Sequence, residues 1–178
     1  QPIKTTLPDQ FEVMITDSLG AAVTGRPVLF EVSNGDGLLG NPLDKARITQ
    51  VVTDAQGVAQ MQFTLGSRTG QGFHRVKAST PGSLASAEFC ATATTNPPSN
   101  IAIGQMAPIR GQVNKVLPMA ISGVITDSGG NPVKDVSVHF EVIKGGGSFE
   151  NNKPFIDVLT NADGIAEANW RLGADPGL

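Results

Sequence analysis

Several short windows of the chain alternate between apolar and polar residues. Val138, Phe140 and Val142 fall on one face of such a window, and His139 and Glu141 fall on the other. The same period of two recurs in three further windows: 28–32, 59–65 and 166–172. This period is typical of a β-strand with one buried and one solvated face, whereas a helix needs apolar residues spaced by three and four. The alternation therefore predicts an all-β protein.

Turn residues between these windows set the limits of the expected strands. The strands predicted in the first half are 9–16, 27–33, 47–53, 58–65, 72–79 and 84–94. Those predicted in the second half are 101–106, 118–126, 136–143, 154–160 and 165–172. The alternation also predicts four buried aromatic side chains: Phe30, Phe63, Phe140 and Trp170.

Four segments place a glycine three positions after an aspartate or asparagine: Asp17–Gly20, Asp54–Gly57, Asp127–Gly130 and Asn161–Gly164. The side chain of the first residue caps such a turn, and glycine accepts a positive φ without a Cβ clash. These segments predict short hairpin connections between antiparallel strands.

The chain also repeats itself. Residues 15–32 and 125–142 are identical at ten of eighteen positions, at an offset of 110. A second pair of segments, 53–66 and 160–173, matches at an offset of 107, and a loop between the two blocks absorbs the difference. A repeated unit of this size indicates an array of similar domains.

This repeat predicts three parts in the chain. Residues 1–95 form a first domain that lacks its first strand, 96–100 are a linker stiffened by two prolines, and 101–178 form a second domain that lacks its last strands. Short strands with turn signals every 8–12 residues favour β-sandwiches. A single closed barrel is the alternative, but it does not explain why the pattern restarts after the linker.

Four motifs run through the chain in the order TDxxGxxV, VxFEVxxGxG, TDxxGxAxxxxxLG and GFHRVKAS. Together they resemble the bacterial immunoglobulin-like domains, group 1, of the invasin and intimin type, over nearly the whole chain. The first copy carries the resemblance at Asp17, Gly20, Val28, Phe30, Gly35, Gly37, Thr53, Asp54, Gly57, Ala59, Leu65, Gly66, Val76 and Ala78. The second carries it at Asp127, Gly130, Asn131, Pro132, Val138, Phe140, Gly145, Gly147, Thr160, Gly164, Ala166, Leu172 and Gly173. The resemblance implies tandem immunoglobulin-like sandwiches that serve as stalk or presenting modules in bacterial surface or secreted proteins.

Both ends depart from that family pattern. The strand expected at 101–106 has almost no counterpart before residue 7, and the second copy lacks counterparts of the strands at 72–94. A fragment of a longer array explains this, and exchange of strands between neighbouring molecules is the alternative.

Composition limits the classes of partner. A net charge of −3 and a pI near 5.3 give no electrostatic case for nucleic acid. No stretch approaches the roughly 18 apolar residues of a transmembrane segment. Cys90 is the single cysteine of the 178 residues, so no intrachain disulfide is expected.

Catalytic chemistry finds little support in the sequence. His74 and His139 lie in different copies without a nucleophile motif, with His74 expected partly buried and His139 in solvent. The alternation places the Cys90 side chain on the solvent face of its strand, and no base that could activate the thiol is evident. An intermolecular disulfide is therefore the one functional interpretation of Cys90. The run Gly145-Gly146-Gly147 lacks the Lys-Ser/Thr and helix of a phosphate loop and is better explained as a bulge or crossover. We therefore predict no enzyme, no catalytic residue and no cofactor.

Calcium is the main alternative, because oxygen-bearing side chains crowd the turns. The candidates are Asp17, Asn34, Asp36, Asp54, Asp127, Asn131, Asn151, Asn152, Asp157 and Asp163. No calcium loop with a closing glutamate is present, and turn geometry already explains these residues. The prediction is that no metal site exists.

The sequence thus predicts a structural or adhesive module of a bacterial surface or secreted protein. Its expected partners are neighbouring immunoglobulin-like domains of the same or another chain, with a protein or glycan receptor as a further partner. The alternatives are a subunit of an extracellular filament assembled by strand complementation and an accessory binding module of a secreted carbohydrate-active enzyme.

Overall fold

The structure, a computed structural model, describes residues 1–104 and 109–176. Across these residues the chain forms strands and turns and no helix, which confirms the predicted all-β class. It divides into two compact units, Gln1–Thr95 and Asn96–Leu178. The strand predicted at 101–106 lies partly outside the described residues.

The first unit contains eight strands: β1 (Phe11–Met14), β2 (Pro27–Asn34), β3 (Leu38–Leu39), β4 (Ile48–Val52), β5 (Val58–Met61), β6 (Phe63–Thr64), β7 (Gly70–Ser79) and β8 (Ser86–Ala93). All of them pair antiparallel. Strands β4, β2, β7 and β8 form a four-stranded sheet in that order, while β1 pairs with β5 and β3 pairs with β6.

One core lies between the two layers of this unit. Phe30 of β2 and Phe63 of β6 are fully buried in it, as the alternation predicts. Phe11 of β1 stacks on Phe63 at 5.4 Å and on Phe89 of β8 at 4.6 Å between ring centroids, so rings from both layers meet. This strand order and shared core make the first unit an immunoglobulin-like β-sandwich.

Backbone hydrogen bonds join the first residues of this unit to Thr94, the residue directly after β8. Ile3 donates its amide to the Thr94 carbonyl, and Thr94 donates to the Gln1 carbonyl, each at 2.9 Å. Pro2 and Thr94 form a parallel bridge, and the Ile3 side chain is buried in the core. The entering and leaving segments of the unit are therefore parallel neighbours.

The second unit contains β9 (Asn100–Ile103), β10 (Ile121–Thr126), β11 (Ser137–Glu141), β12 (Gly147–Phe149), β13 (Phe155–Leu159), β14 (Ile165–Ala168) and β15 (Trp170–Leu172). Strand β10 pairs with both β14 and β9, while β11 pairs with β13 and β12 pairs with β15. Strands β10 to β15 correspond to β1 to β6. Nothing within the described part of this unit corresponds to β7 and β8.

The second core is smaller. Its buried residues are Ile125, Val133, Val138 and Ala166. Phe140 and Trp170 are half-buried, so the prediction that both are largely buried is wrong. Their inward parity is right, but no counterpart of β7 covers them among the described residues.

The turns form locally as predicted, with positive φ at Gly20, Gly57, Gly130 and Gly164. The prediction that they join hairpin partners is wrong in both units, because none of the four turns connects two strands that pair with each other. Strand β1 precedes the turn at Gly20 and pairs with β5, whereas β2 follows it and pairs with β4 and β7. The turn reverses the chain but carries it into the other layer, because turn chemistry does not choose the sheet partner.

Two short strands, β3 and β12, were not predicted, because two or three residues show no period. Each lies in or next to a glycine-rich segment. The β2–β7 register shifts between Val32 and Asn34, which places a bulge beside the first of these segments. The strand predicted at 58–65 breaks at Gln62, whose side-chain amide donates to the Leu7 carbonyl.

Candidate functional site

The side-chain oxygens proposed for calcium bind backbone amides within their own turns. Oδ1 of Asp17 accepts from the amides of Leu19 and Ala21, both at 2.9 Å. Asp54, Asp127 and Asn161 accept in the same way from the residues two and four positions later. One oxygen of each turn is thereby saturated by main-chain donors.

The remaining calcium candidates are dispersed. Asn34 donates to the Phe73 carbonyl at 2.7 Å, Asn151 donates to the Phe155 carbonyl at 2.8 Å, and Asp157 lies 2.7 Å from His139. No group of three His, Cys, Asp or Glu side chains that could hold a metal occurs in the described ranges.

We expect the unfolding midpoint to be the same in a chelator and in millimolar calcium, because the turn oxygens are already occupied by amides. Thermal melts under the two conditions test this. A clear rise of the midpoint with calcium would show binding to the native state and would contradict the assignment of these residues to turns.

Asp127 is fully buried, unlike its counterpart Asp17, which is exposed. Its carboxylate accepts from the Gly129 amide at 2.8 Å, from the Asn131 amide and side chain at 2.9–3.1 Å, and from the Asn96 amide at 3.1 Å. Burial acts to raise the pKa of Asp127, but these hydrogen bonds outweigh it and hold the pKa below the ordinary value of 3.8. The sequence motif did not show this burial, because the motif is the same in both copies and the donor Asn96 lies outside it.

The lowered pKa gives a pH dependence to the second unit. The stabilisation from ionised Asp127 is complete above the unfolded-state pKa near 3.8 and is lost as the pH falls through the lower folded-state pKa. We expect the urea midpoint of this unit to fall between about pH 5 and pH 2, and to fall less in Asp127→Asn. Fluorescence of Trp170, the single tryptophan, follows this unit. Equal pH slopes in both proteins would contradict the prediction.

Asp36 is held in a similar way in the first unit. Its carboxylate accepts from the Ser67 amide at 2.9 and 3.0 Å and from the Ser67 hydroxyl at 2.6 Å. Burial acts to raise the pKa of Asp36, but the hydrogen bonds to Ser67 and the nearby His74 keep it below 3.8. These hydrogen bonds to Ser67 connect the segment after β2 with the segment after β6.

His74 is more deeply buried than predicted, with 1% of its surface exposed. Its Nε2 lies 2.9 Å from the Arg68 carbonyl, and its ring is edge-on to Phe73 and Phe63. The backbone of Gly35 lies so close that a Cβ there would clash with the ring. These contacts are those of a core residue.

The outward positions of the other two candidates are confirmed. His139 is exposed and contacts Asp157 on the neighbouring strand β13. Cys90 is exposed on β8 and carries a free thiol. His74 and Cys90 lie on neighbouring strands of the first unit, but His74 is buried and Cys90 is on the exposed face, while His139 belongs to the second unit.

Two grooves, one in each unit, are lined mainly by apolar residues. A lateral groove of about 420 Å³ in the first unit is lined by Glu12, Val13, Met14, Ile15, Val28, Ala78, Ser79, Thr80, Ala85, Ser86, Ala87 and Phe89. A groove of about 360 Å³ in the second unit is lined by Ile103, Ile109, Leu117, Ile121, Ser122, Phe140 and Trp170. Of all these lining residues, Glu12 alone is charged. Sequence reasoning missed the lateral groove, because it depends on which strands face each other across the sandwich.

No helix in the described residues is long and apolar enough to span a bilayer.

Comparisons with known proteins return little. No family model matches the chain, and no curated protein matches it. A solved structure that it resembles is the crystal structure of invasin, a bacterial integrin-binding protein, at 16% identity and a TM-score of 0.43. The match covers 99% of this chain and 32% of that one, so the chain spans about a third of the length of that protein.

Proposed function

We propose that the chain is a structural module of a bacterial surface or secreted protein, acting as a stalk or presenting domain. Its partners would be neighbouring immunoglobulin-like domains of the same or another chain, with a protein or glycan as a receptor. The role is mechanical, and no enzymatic activity is part of it. The proposal draws on the repeat, in which two units with separate cores follow each other along one chain.

The observation that carries the proposal is the parallel pairing of Pro2 and Ile3 with Thr94. Tension along the chain pulls the entering segment and the leaving segment in opposite directions. Because the two are parallel neighbours, the hydrogen bonds between them are loaded together in shear rather than opened one after another. That geometry suits a unit that must stay folded within a stretched chain.

The Pro97-Pro98 pair supports the same role. Two adjacent prolines restrict the backbone in the segment between the two units. A stalk needs such a stiff joint, because flexible joints between folded units would shorten its reach.

We expect the first unit to unfold at a higher force than the second when the 178-residue chain is stretched between marker domains. Opening Gln1–Thr95 should release roughly 310–340 Å of chain, less the span of the folded unit. Thr94→Pro removes the amide that donates to Gln1 and should lower this force. Single-molecule force spectroscopy measures both quantities.

Thr95→Pro is the matched control, because no backbone hydrogen bond from the Thr95 amide occurs among the described residues. It should leave the unfolding force unchanged. If Thr94→Pro and the parent chain unfold at the same force, the pairing does not resist tension and the mechanical role loses its support.

A further inference from the structure

Strand β4 is the edge of the four-stranded sheet of the first unit. Among the described strands it pairs with β2 alone. Thr53, directly after β4, donates its amide to the carbonyl of Arg26, directly before β2, at 2.9 Å. Because successive backbone groups of a strand point to opposite sides, the amides and carbonyls of Ile48, Gln50 and Val52 point away from β2.

Strand β13 is the counterpart of β4 in the second unit and has the same arrangement. Within the described range it pairs with β11 alone. Thr160, directly after β13, donates its amide to the Val136 carbonyl at 2.9 Å. The backbone groups of Phe155, Asp157 and Leu159 therefore point away from β11.

The other strands of the repeat lie elsewhere. In the second unit the residues before β10 form β9, which pairs with β10 and not with β13. In the first unit the residues after β6 form β7 and β8, which lie on the opposite side of β2 from β4. Both the strand that precedes this part of the repeat and the strands that follow it are thus described in one unit or the other, and none of them lies beside β4 or β13.

The side chains of the two edges follow one pattern. Each strand carries two exposed apolar side chains on its outer face, on either side of one polar residue: Ile48, Gln50 and Val52 on β4, and Phe155, Asp157 and Leu159 on β13. The four apolar side chains are 41–62% exposed. Natural sheet edges are commonly protected from pairing by lysine, proline or a bulge, and neither strand contains one of these.

We propose that β4 of one chain pairs antiparallel with β13 of a second copy of the chain. In the register that aligns the centres of the two strands, Gln50 lies opposite Asp157, and the apolar side chains of one edge lie opposite those of the other. The outward backbone groups exchange hydrogen bonds, so that the four-stranded sheet of one chain and the two-stranded sheet of the other join edge to edge. This inference rests on the partnership with another chain proposed above, and not on the mechanical role.

Charge complementarity favours this pair of edges. In the same register Asp54, after β4, lies opposite Lys153, before β13. The side-chain amide of Gln50 can donate to the Asp157 carboxylate at the centre. Because opposite charges on directly opposed residues stabilise an antiparallel pair, both positions support the pairing of β4 with β13.

The two pairings of identical strands fit less well. Two copies of β13 would place one Asp157 opposite the other, and their carboxylates would repel each other. Two copies of β4 would place Gln50 opposite Gln50 and Asp54 opposite Ala46, so no opposite charges would face each other. Since each chain carries one edge of each kind, the association is head-to-tail.

Sedimentation velocity of the full 178-residue chain tests the proposal. We expect the weight-average sedimentation coefficient to rise with concentration up to about 1 mM, because an interface of two short strands is small and binds weakly. Gln50→Asp places a second carboxylate opposite Asp157 and should weaken the association about 5–10-fold. Gln71→Asp is the matched control, because it makes the same change at an exposed position of β7. It should leave the association unchanged.

A charge exchange identifies the two strands that meet. The double variant Gln50→Asp, Asp157→Lys places opposite charges at the centre of the β4–β13 pair and should associate at least as strongly as the parent chain. Both pairings of identical strands would oppose like charges in this variant, so only the proposed pairing is restored. A thermal melt of each variant confirms that it is folded. If the double variant does not fold, concentration-dependent amide shifts of the ¹⁵N-labelled parent chain at 48–52 and 155–159 identify the same strands.

Four results would overturn the proposal. The chain could remain monomeric up to about 1 mM, or Gln50→Asp could associate as strongly as Gln71→Asp. A folded double variant could fail to regain association, which would point to two copies of β4. The shift changes with concentration could also lie outside 48–52 and 155–159. None of these results alters the force expected for a single stretched chain, so the mechanical role is tested separately.

Discussion

Phe30→Ala is expected to lower the free energy of unfolding of the first unit by about 3–5 kcal/mol. Phe30 is fully buried at the centre of β2 and contributes to the core that both layers share. Removing its ring leaves a cavity that the two hydrogen-bonded layers cannot close by moving together, so the loss includes both the transfer and the cavity contributions. Urea unfolding followed by far-ultraviolet circular dichroism measures the change.

The repeat provides an internal control for this experiment. Phe140 occupies the equivalent position in the second unit but is half-buried. Phe140→Ala should therefore cost less than half as much, about 1–2 kcal/mol, since part of the ring is already in water. Equal costs at the two positions would mean that the exposed side of Phe140 is covered in solution.

Asp127→Ala is expected to destabilise the second unit by about 2–4 kcal/mol. The substitution leaves the buried amide of Asn131 and the partly buried amides of Gly129 and Asn96 without the acceptor that they share. Hydrogen bonds to a charged acceptor contribute more than neutral ones, and unpaired buried donors lose their hydration as well. The urea midpoint followed by Trp170 fluorescence measures the effect.

Asp17→Ala is the matched variant, because Asp17 holds the same turn in the first unit but is exposed. Water can replace its side chain, so the expected loss is about 1 kcal/mol or less. Asp127→Asn should lie between the two, because it keeps an acceptor oxygen while losing the charge. If Asp127→Ala and Asp17→Ala lower the free energy of unfolding equally, burial of the carboxylate does not contribute to stability.

Local patterns predicted much of the fold. The alternation at 28–32 placed Phe30 inward, the Asp-x-x-Gly motif placed positive φ at Gly20 and Gly57, and the repeat identified equivalent strands. These features depend on neighbours within a few residues, which is why the sequence carries them.

Contacts between distant segments could not be predicted in the same way. The residues of the turn at Gly20 do not determine that β1 pairs with β5 rather than with β2. The half-burial of Trp170 depends on which strands face it, and the burial of Asp127 depends on Asn96, 31 residues earlier. The lateral groove likewise depends on which strands face each other across the sandwich.

The attachment of residues 96–100 to the second unit has a consequence for proteolysis. Asn96 donates to Asp127 at 3.1 Å, Ser99 donates to the Thr126 carbonyl at 2.9 Å, and two prolines lie between them. A protease needs an unfolded, extended stretch of chain, and this one is fixed at both sides. Cleavage at the junction therefore follows the opening equilibrium of the second unit rather than the exposure of a free linker.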